Sequence, residues 1–103
     1  KGSVMHKSII LPLAKQDIEE AAKWYSKKQH GLGKRFITQI REKVKFIKQN
    51  PHASIVNYDD VRTAVVDGFP HMIHYTTDDI RKLIIVSAVF HTSQNPDEWK
   101  KRT

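Results

Sequence analysis

The sequence predicts an α+β domain in which a hairpin of two helices covers one face of a mostly antiparallel sheet. In the first half, apolar residues recur at helical spacing through two successive segments. The second half holds strand-like segments separated by turn residues. An apolar segment before the first helix and a capped segment near the end complete the order β-α-α-β-β-β with a short C-terminal helix.

The first half is interpreted as one strand followed by the helix hairpin. Residues 6–11 predict a short strand, and residues 14–29 and 34–50 predict two amphipathic helices. Gly31 and Gly33 lie between the helices, and both are expected to permit the positive φ of a chain reversal. The second helix has an apolar stripe that consists of Phe36, Ile37, Ile40, Val44 and Ile47.

The second half predicts three strands. Residues 61–66 and 70–77 are expected to form an antiparallel pair around the turn dipeptide at 67–68. Residues 82–90 are almost continuously apolar, so they predict a central strand that is buried on both faces, with Ile85 in its core.

A short capped helix is predicted after the last strand. Asn95 is suited to the N-cap, Pro96 to the first helical position and Glu98 to the capping-box position. Trp99 lies on this helix, and a basic group follows it.

Composition limits the class of protein. With 103 residues the chain is expected to form a single domain over residues 5–103, and residues 1–4 resemble a vector remnant before Met5. The absence of cysteine excludes disulfides, a thiolate nucleophile and a thiolate zinc site, and it suits the cytoplasm. No apolar run reaches the roughly 18 residues of a membrane span. His71 and His74 should point to opposite faces of a strand, so we expect neither a metal site nor a cofactor.

Positive charge is concentrated in the first half. The chain has a net charge of +7, of which residues 1–52 contribute +8 and residues 53–103 contribute −1. Such a distribution favours an acidic partner, either a nucleic acid or an acidic polypeptide.

Short motifs spaced along the chain carry a family resemblance. They are Ala14-x-x-Asp17-Ile18, Trp24-Tyr25, Gly31-Leu32-Gly33-x-x-Phe36, Asn50-Pro51, Val61-Arg62, Phe69-Pro70, Tyr75 and Val89-x-His91. In order and spacing they resemble the RelE/ParE superfamily of bacterial toxins from about Lys7 to Lys101. The segment from His91 to Trp99 is closer to the ParE-like plasmid stabilisation branch.

The resemblance implies a toxin of a type II toxin-antitoxin system, neutralised by a cognate antitoxin. ParE-like members inhibit growth by acting on DNA gyrase, whereas RelE-like members cleave messenger RNA in the ribosomal A site. We expect the ParE-like activity because the segment from His91 to Trp99 fits that branch and because the set of catalytic residues that a nuclease needs is incomplete. A ribosome-dependent endoribonuclease and a degenerate, non-toxic member are the alternatives.

The nuclease alternative depends on two residues. His91 matches a histidine that some RNase members use for acid/base chemistry, and Arg62 matches an arginine suited to clamp a phosphate. Each also has a packing interpretation: His91 as a hydrogen-bonded anchor of the tail, and Arg62 as a partner of Asp59, Asp60 or the antitoxin. Thr92 stands where one RNase branch has tyrosine, which weakens the nuclease interpretation.

Candidate partner-binding residues lie on the second helix and in the tail. A basic face is expected opposite the apolar stripe, either as a solvated surface or as a docking surface, and it consists of Lys34, Arg41, Lys45 and Lys48. Lys43 is placed inside the stripe, where it either reaches past its neighbours to water or meets a carboxylate. The tail candidates for a partner contact are Trp99, Lys100, Lys101 and Arg102.

Overall fold

The computed structural model describes residues 5–101, with only the backbone of Lys100, and it confirms the predicted α+β class. The predicted element order holds with one additional short strand after the helix hairpin. The predictions for residues 1–4 and for Arg102 lie outside the described residues. The elements are β1 (Lys7–Ile10), α1 (Pro12–Lys28), α2 (Leu32–Gln49), β2 (Val56–Tyr58), β3 (Val61–Val65), β4 (His71–Asp78), β5 (Leu83–His91) and α3 (Pro96–Lys100).

The sheet has five strands in the order β1-β5-β4-β3-β2. β1 runs parallel to β5 and the other neighbours are antiparallel, which confirms the mostly antiparallel prediction. The prediction that residues 82–90 form the central strand is wrong, because β4 occupies the middle. The sequence analysis missed β2, a three-residue edge strand with too few residues for a period-2 pattern.

A β-bulge at Ser87 changes the direction of the side chains along β5. Its neighbours Val86 and Ala88 pair with the consecutive residues Tyr75 and His74, which leaves Ser87 as the extra residue. Before the bulge, the side chains at even positions face the helices; after it, those at odd positions do. Simple alternation of side chains therefore does not hold along the whole strand.

This change of face also corrects the expected core residue of β5. Ile84 is fully buried beneath the helices, whereas Ile85 lies on the opposite face and is only partly buried. We call this second face of the sheet, turned away from α1 and α2, the open face.

The helix hairpin packs on the other face and supplies most of the core. The predicted stripe of α2 is confirmed: Phe36, Ile40, Val44 and Ile47 are buried and Ile37 is partly buried. Below it lie apolar residues of the sheet, namely Ala64, Ile73, Tyr75, Ile84, Val86 and Val89.

The two glycines of the hairpin have different roles. Gly31 has a φ of +81°, the left-handed conformation expected of a chain reversal. Gly33 lies inside α2 instead, where a Cβ atom would be 2.5 Å from the Ala22 carbonyl oxygen and would also clash with Ser26. The expectation of a positive φ at Gly33 is therefore wrong, because this glycine allows close approach of α1 and α2.

Neighbouring isoleucines on β5 provide a matched test of the bulge. Ile84→Ala should lower the free energy of unfolding by about 2–5 kcal/mol, because it leaves a cavity in the core. Ile85→Ala should lower the free energy of unfolding by less, because the Ile85 side chain is partly solvated. Urea denaturation of both variants measures the difference, and an equal or larger loss for Ile85→Ala would contradict the assigned faces.

Candidate functional site

A groove runs along α2 beside the edge strand β1. Its middle section has a volume of about 420 Å³ and is lined by Met5, Ser8, Ile10, Ile40, Arg41, Val44, Lys45 and Lys48. A section toward α1 shares Ile10, Ile40 and Arg41 with it, and a section toward the β4–β5 turn shares Met5 and Lys48. We call the three adjoining sections the α2 groove.

The α2 groove combines apolar and basic side chains. Ile10, Ile40 and Val44 contribute apolar surface to its middle section, and three exposed or half-buried cations line the same section. These cations are Arg41, Lys45 and Lys48. The basic face of α2 thus borders the apolar stripe, which corrects the expectation that it lies opposite, and the groove suits a partner with both apolar and acidic groups.

Two other predicted α2 residues lie outside the groove lining. Lys34 is exposed near the start of the helix. The half-buried Lys43 places its Nζ atom 3.5 Å from Oδ1 of Asp67, in the β3–β4 turn, and 5.3 Å from the centroid of the Phe46 ring. Lys43 therefore has a carboxylate partner within the chain.

A cluster of two histidines and one carboxylate lies at the end of the groove near the β4–β5 turn. His6 Nε2 is 3.4 Å from one carboxylate oxygen of Asp79, and His52 Nε2 is 3.0 Å from the other. Desolvation acts to raise the pKa of Asp79, but hydrogen bonds and charge interactions with the two histidines lower it below its ordinary value. Lys48 and Lys82 also line this section.

His71 and His91 lie together at the opposite side of the domain, below α1. Their ring centroids are 5.2 Å apart. Tyr25 shares a hydrogen bond of 3.3 Å with Nδ1 of His71, and burial raises the pKa of Tyr25. Burial, followed by the nearby His91, lowers the pKa of His71 to about 4, so this ring is neutral at pH 7.

His91 is exposed, and hydrogen bonds with Ser93, two residues later in the chain, hold its ring. The Ser93 backbone N–H donates to Nδ1 of His91 at 3.0 Å, and the Ser93 hydroxyl lies 2.7 Å from the same atom. Because an amide can only donate, the neutral ring carries its proton on Nε2. A pocket of about 370 Å³ adjoins the ring and is bordered by Asp17 and Glu20 of α1.

Arg62 does not lie near His91. Arg62 pairs across the sheet with Tyr75 and His91 with His71, which places the two roughly 13 Å apart along β4, at about 3.3 Å per residue. Nη1 of Arg62 donates to the Ser54 carbonyl at 2.6 Å, so the side chain is anchored to the loop after α2. The structure thus does not bring the two candidate catalytic residues together.

The tail packs Trp99 against the open face. Asn95 caps α3 as predicted, with its side-chain oxygen accepting from the Asp97 N–H at 2.9 Å. The Trp99 ring lies 4.9 Å from that of His74 and 5.9 Å from that of Tyr58, so it anchors the tail. The capping-box expectation for Glu98 differs from the structure, because its carboxylate bonds Nζ of Lys101 at 3.2 Å.

A known protein family matches most of the chain. The sequence profile described as ParE toxin of type II toxin-antitoxin system, parDE, matches residues 9–96. This range includes α1, α2, all the strands after β1 and most of the groove lining. The chain belongs to the ParE toxin family. Comparison with the sequences of curated proteins finds no match.

Solved structures share the fold of this ParE family chain. A chain of the chromosomal ParDE TA system from P. aeruginosa has a TM-score of 0.71 and 20% identity, over 86% of this chain and 98% of that chain. A chain of the RelBE2 toxin-antitoxin complex from Mycobacterium tuberculosis has a TM-score of 0.66 and 14% identity, over 90% and 98% respectively. At these identities the similarity concerns the fold.

Two kinds of feature are not found within residues 5–101 of the ParE family chain. No helix there combines the length and apolar character needed to cross a membrane. No group of three histidine or acidic side chains there, the cluster of His6, His52 and Asp79 included, could hold a metal ion. As predicted, His71 and His74 point to opposite faces of β4, since one contacts Phe36 and the other Trp99.

Sequence reasoning missed the cluster of His6, His52 and Asp79. Asp79 lies 73 residues from His6 and 27 from His52, so no local motif joins the three. They meet because the parallel pairing of β1 with β5 brings the N-terminal segment to the β4–β5 turn. The one available signal was the excess of histidine, which does not specify a location.

Burial of the neutral His71 ring predicts an acid-sensitive domain. Below pH 6.5 the unfolded chain binds a proton at this residue, whereas the folded chain does so only near pH 4. Stability is therefore full above pH 6.5 and falls as the pH decreases toward 4. Urea denaturation between pH 7 and 4.5 should show a smaller loss for His71→Gln than for wild type.

The exposed His30, in the turn between the helices, provides the control. His30→Gln should retain the wild-type dependence of unfolding free energy on pH. Equal slopes for His71→Gln and wild type would contradict the role of His71.

Proposed function

We propose that this ParE family toxin inhibits growth in the cytoplasm by binding DNA gyrase, and that an antitoxin neutralises it by placing an acidic segment in the α2 groove. The observation that carries the proposal is a groove with an apolar floor and a basic rim beside a free strand edge. Family membership supports a toxin, and the groove supports the type of partner.

The groove fits a segment that is disordered alone and folds on binding. The partly buried Ile10, together with the small accessible parts of Ile40 and Val44, can contact the apolar face of an amphipathic helix, while Arg41 and Lys45 pair with acidic residues along its flanks. The outer edge of β1 offers backbone groups to an added strand. The two similar structures come from systems whose names pair a toxin with an antitoxin, which supports such a partner here.

The charge of the sheet favours binding to a protein target over RNA cleavage. Cleavage without a metal needs cations that stabilise the charge on the transition-state phosphate. Among the residues of the four strands β2, β3, β4 and β5, the only lysine or arginine is Arg62, which faces the helices and is anchored to the Ser54 carbonyl. The strands therefore place no lysine or arginine on the open face.

The hydrogen bonding of His91 also favours binding over cleavage. A general base needs a free nitrogen lone pair directed at the substrate, but Nδ1 of His91 already accepts from Ser93. The neutral ring is thus held in a form unsuited to act as a general base through Nδ1.

Charge reversal in the groove tests the antitoxin interface. The Arg41→Glu/Lys45→Glu variant should bind the product of the adjacent reading frame at least about tenfold more weakly, because two rim attractions become repulsions. Lys34→Glu, on the same helix but outside the groove, is the matched control. Calorimetry or a pull-down with purified proteins measures the difference, and equal loss in both variants would exclude the groove as the interface.

Growth arrest tests the target. Replacing Lys100, Lys101 and Arg102 by Gln retains the packing of Trp99 and should strongly reduce arrest, because these residues are the predicted basic contact with gyrase. His91→Gln should retain most of the arrest. Wild-type expression should induce the DNA-damage response without early loss of messenger RNA.

The opposite pattern identifies the ribosome-dependent nuclease. In that case His91→Gln would lower cleavage of ribosome-bound RNA by about 10²–10⁴-fold, and the tail variant would remain toxic. A stable wild-type chain that causes no arrest would identify the degenerate, non-toxic member.

A further inference from the structure

The end of the α2 groove near the β4–β5 turn has a composition unlike the rest of the groove. This section has a volume of about 640 Å³, and its charged or titratable lining consists of His6, Lys48, His52, Asp79 and Lys82. The side chains of His52 and Asp79 are about half exposed, at 52% and 54%. There is room here for a further side chain from a partner.

The net charge of this section of the groove depends on whether its histidines are protonated. The section is lined by two lysines, Lys48 and Lys82, and by one carboxylate, that of Asp79. Histidines ordinarily exchange a proton between about pH 5 and 8. When His6 and His52 are both charged, the section holds four cations and one carboxylate, so a second carboxylate would be attracted.

The geometry leaves His52 able to meet such a group. The Nε2 atom of the half-exposed His52 lies 3.0 Å from one Asp79 oxygen, whereas His6 is largely buried and approaches the other oxygen at 3.4 Å. When a second carboxylate approaches a histidine ring that already lies beside one carboxylate, it further stabilises the charged form of the ring. Binding of an acidic residue and proton uptake by the histidines are therefore coupled.

We infer that this end of the groove binds a carboxylate side chain of the antitoxin's acidic segment, and that His6 and His52 take up protons as it binds. The inference rests on the proposed function of the groove. It adds that the toxin-antitoxin complex tightens as the pH falls from 8 to 6, the range in which histidines ordinarily gain a proton.

The charged side chains of Asp78 and Arg81, at the same turn, pair with each other. The Asp78 carboxylate accepts from the Arg81 backbone N–H at 3.0 Å and lies 3.8 Å from the Arg81 side chain. The Lys82 carbonyl accepts from the Lys7 N–H at 2.9 Å, and the side chain of Lys82 lines this section of the groove. The pH-dependent part of the attraction is thus assigned to His6 and His52.

The test measures the dissociation constant of the complex with the purified product of the adjacent reading frame at pH 6 and pH 8. Wild type should bind more tightly at pH 6. In His52→Gln the ratio of the two constants should fall by about three- to tenfold, since one unit of pKa shift corresponds to tenfold. Titratable groups of the partner contribute equally to both proteins and cancel in this comparison.

Two further variants make the result specific. His30→Gln, at the exposed turn between α1 and α2, should retain the wild-type ratio. His6→Gln should lower the ratio as His52→Gln does, and a denaturation curve confirms that each variant is folded. Tight binding with the same ratio in wild type and His52→Gln would overturn this inference alone. Absence of binding at both pH values would overturn the proposed groove function, and this inference with it.

Discussion

The packing of aromatic rings between the helix hairpin and the sheet is the interaction on which the rest of the structure depends. Tyr25 of α1 and Phe36 of α2 have ring centroids 5.3 Å apart, and both contact Phe69, at 4.9 and 5.2 Å. His71 completes the cluster from β4. These contacts join elements distant in sequence, and their burial in the core explains why the His71 ring stays neutral.

The position of the hairpin determines where the α2 groove lies. With its apolar stripe committed to the core, α2 leaves one flank beside β1, a four-residue strand paired on one side only. The groove along this flank is apolar where the stripe ends and basic where the exposed face begins. Such a surface can steer an acidic partner by its charge and retain it by apolar burial.

The bulge at Ser87 has a comparable effect on the other side of the domain. One extra residue changes the face of every later side chain of β5, so Val89 and His91 lie below α1. Asp17 of α1 accepts from the Val89 N–H at 3.0 Å, beyond the last residue that pairs with β1. This bond connects the helix hairpin with the end of the strand that carries His91.

The sequence by itself determined the α+β class, the helix hairpin, the stripe of α2 and the Asn95 cap, because each depends on residue spacing over a few turns or strand positions. Only the tertiary structure decided that β4 occupies the middle of the sheet, that β5 has a bulge, and that His6, His52 and Asp79 meet. It also separated Arg62 from His91 and gave Lys43 a partner in Asp67. These features depend on strand pairing across long stretches of chain, and pairing register is set by the packing of the whole domain and not by local periodicity.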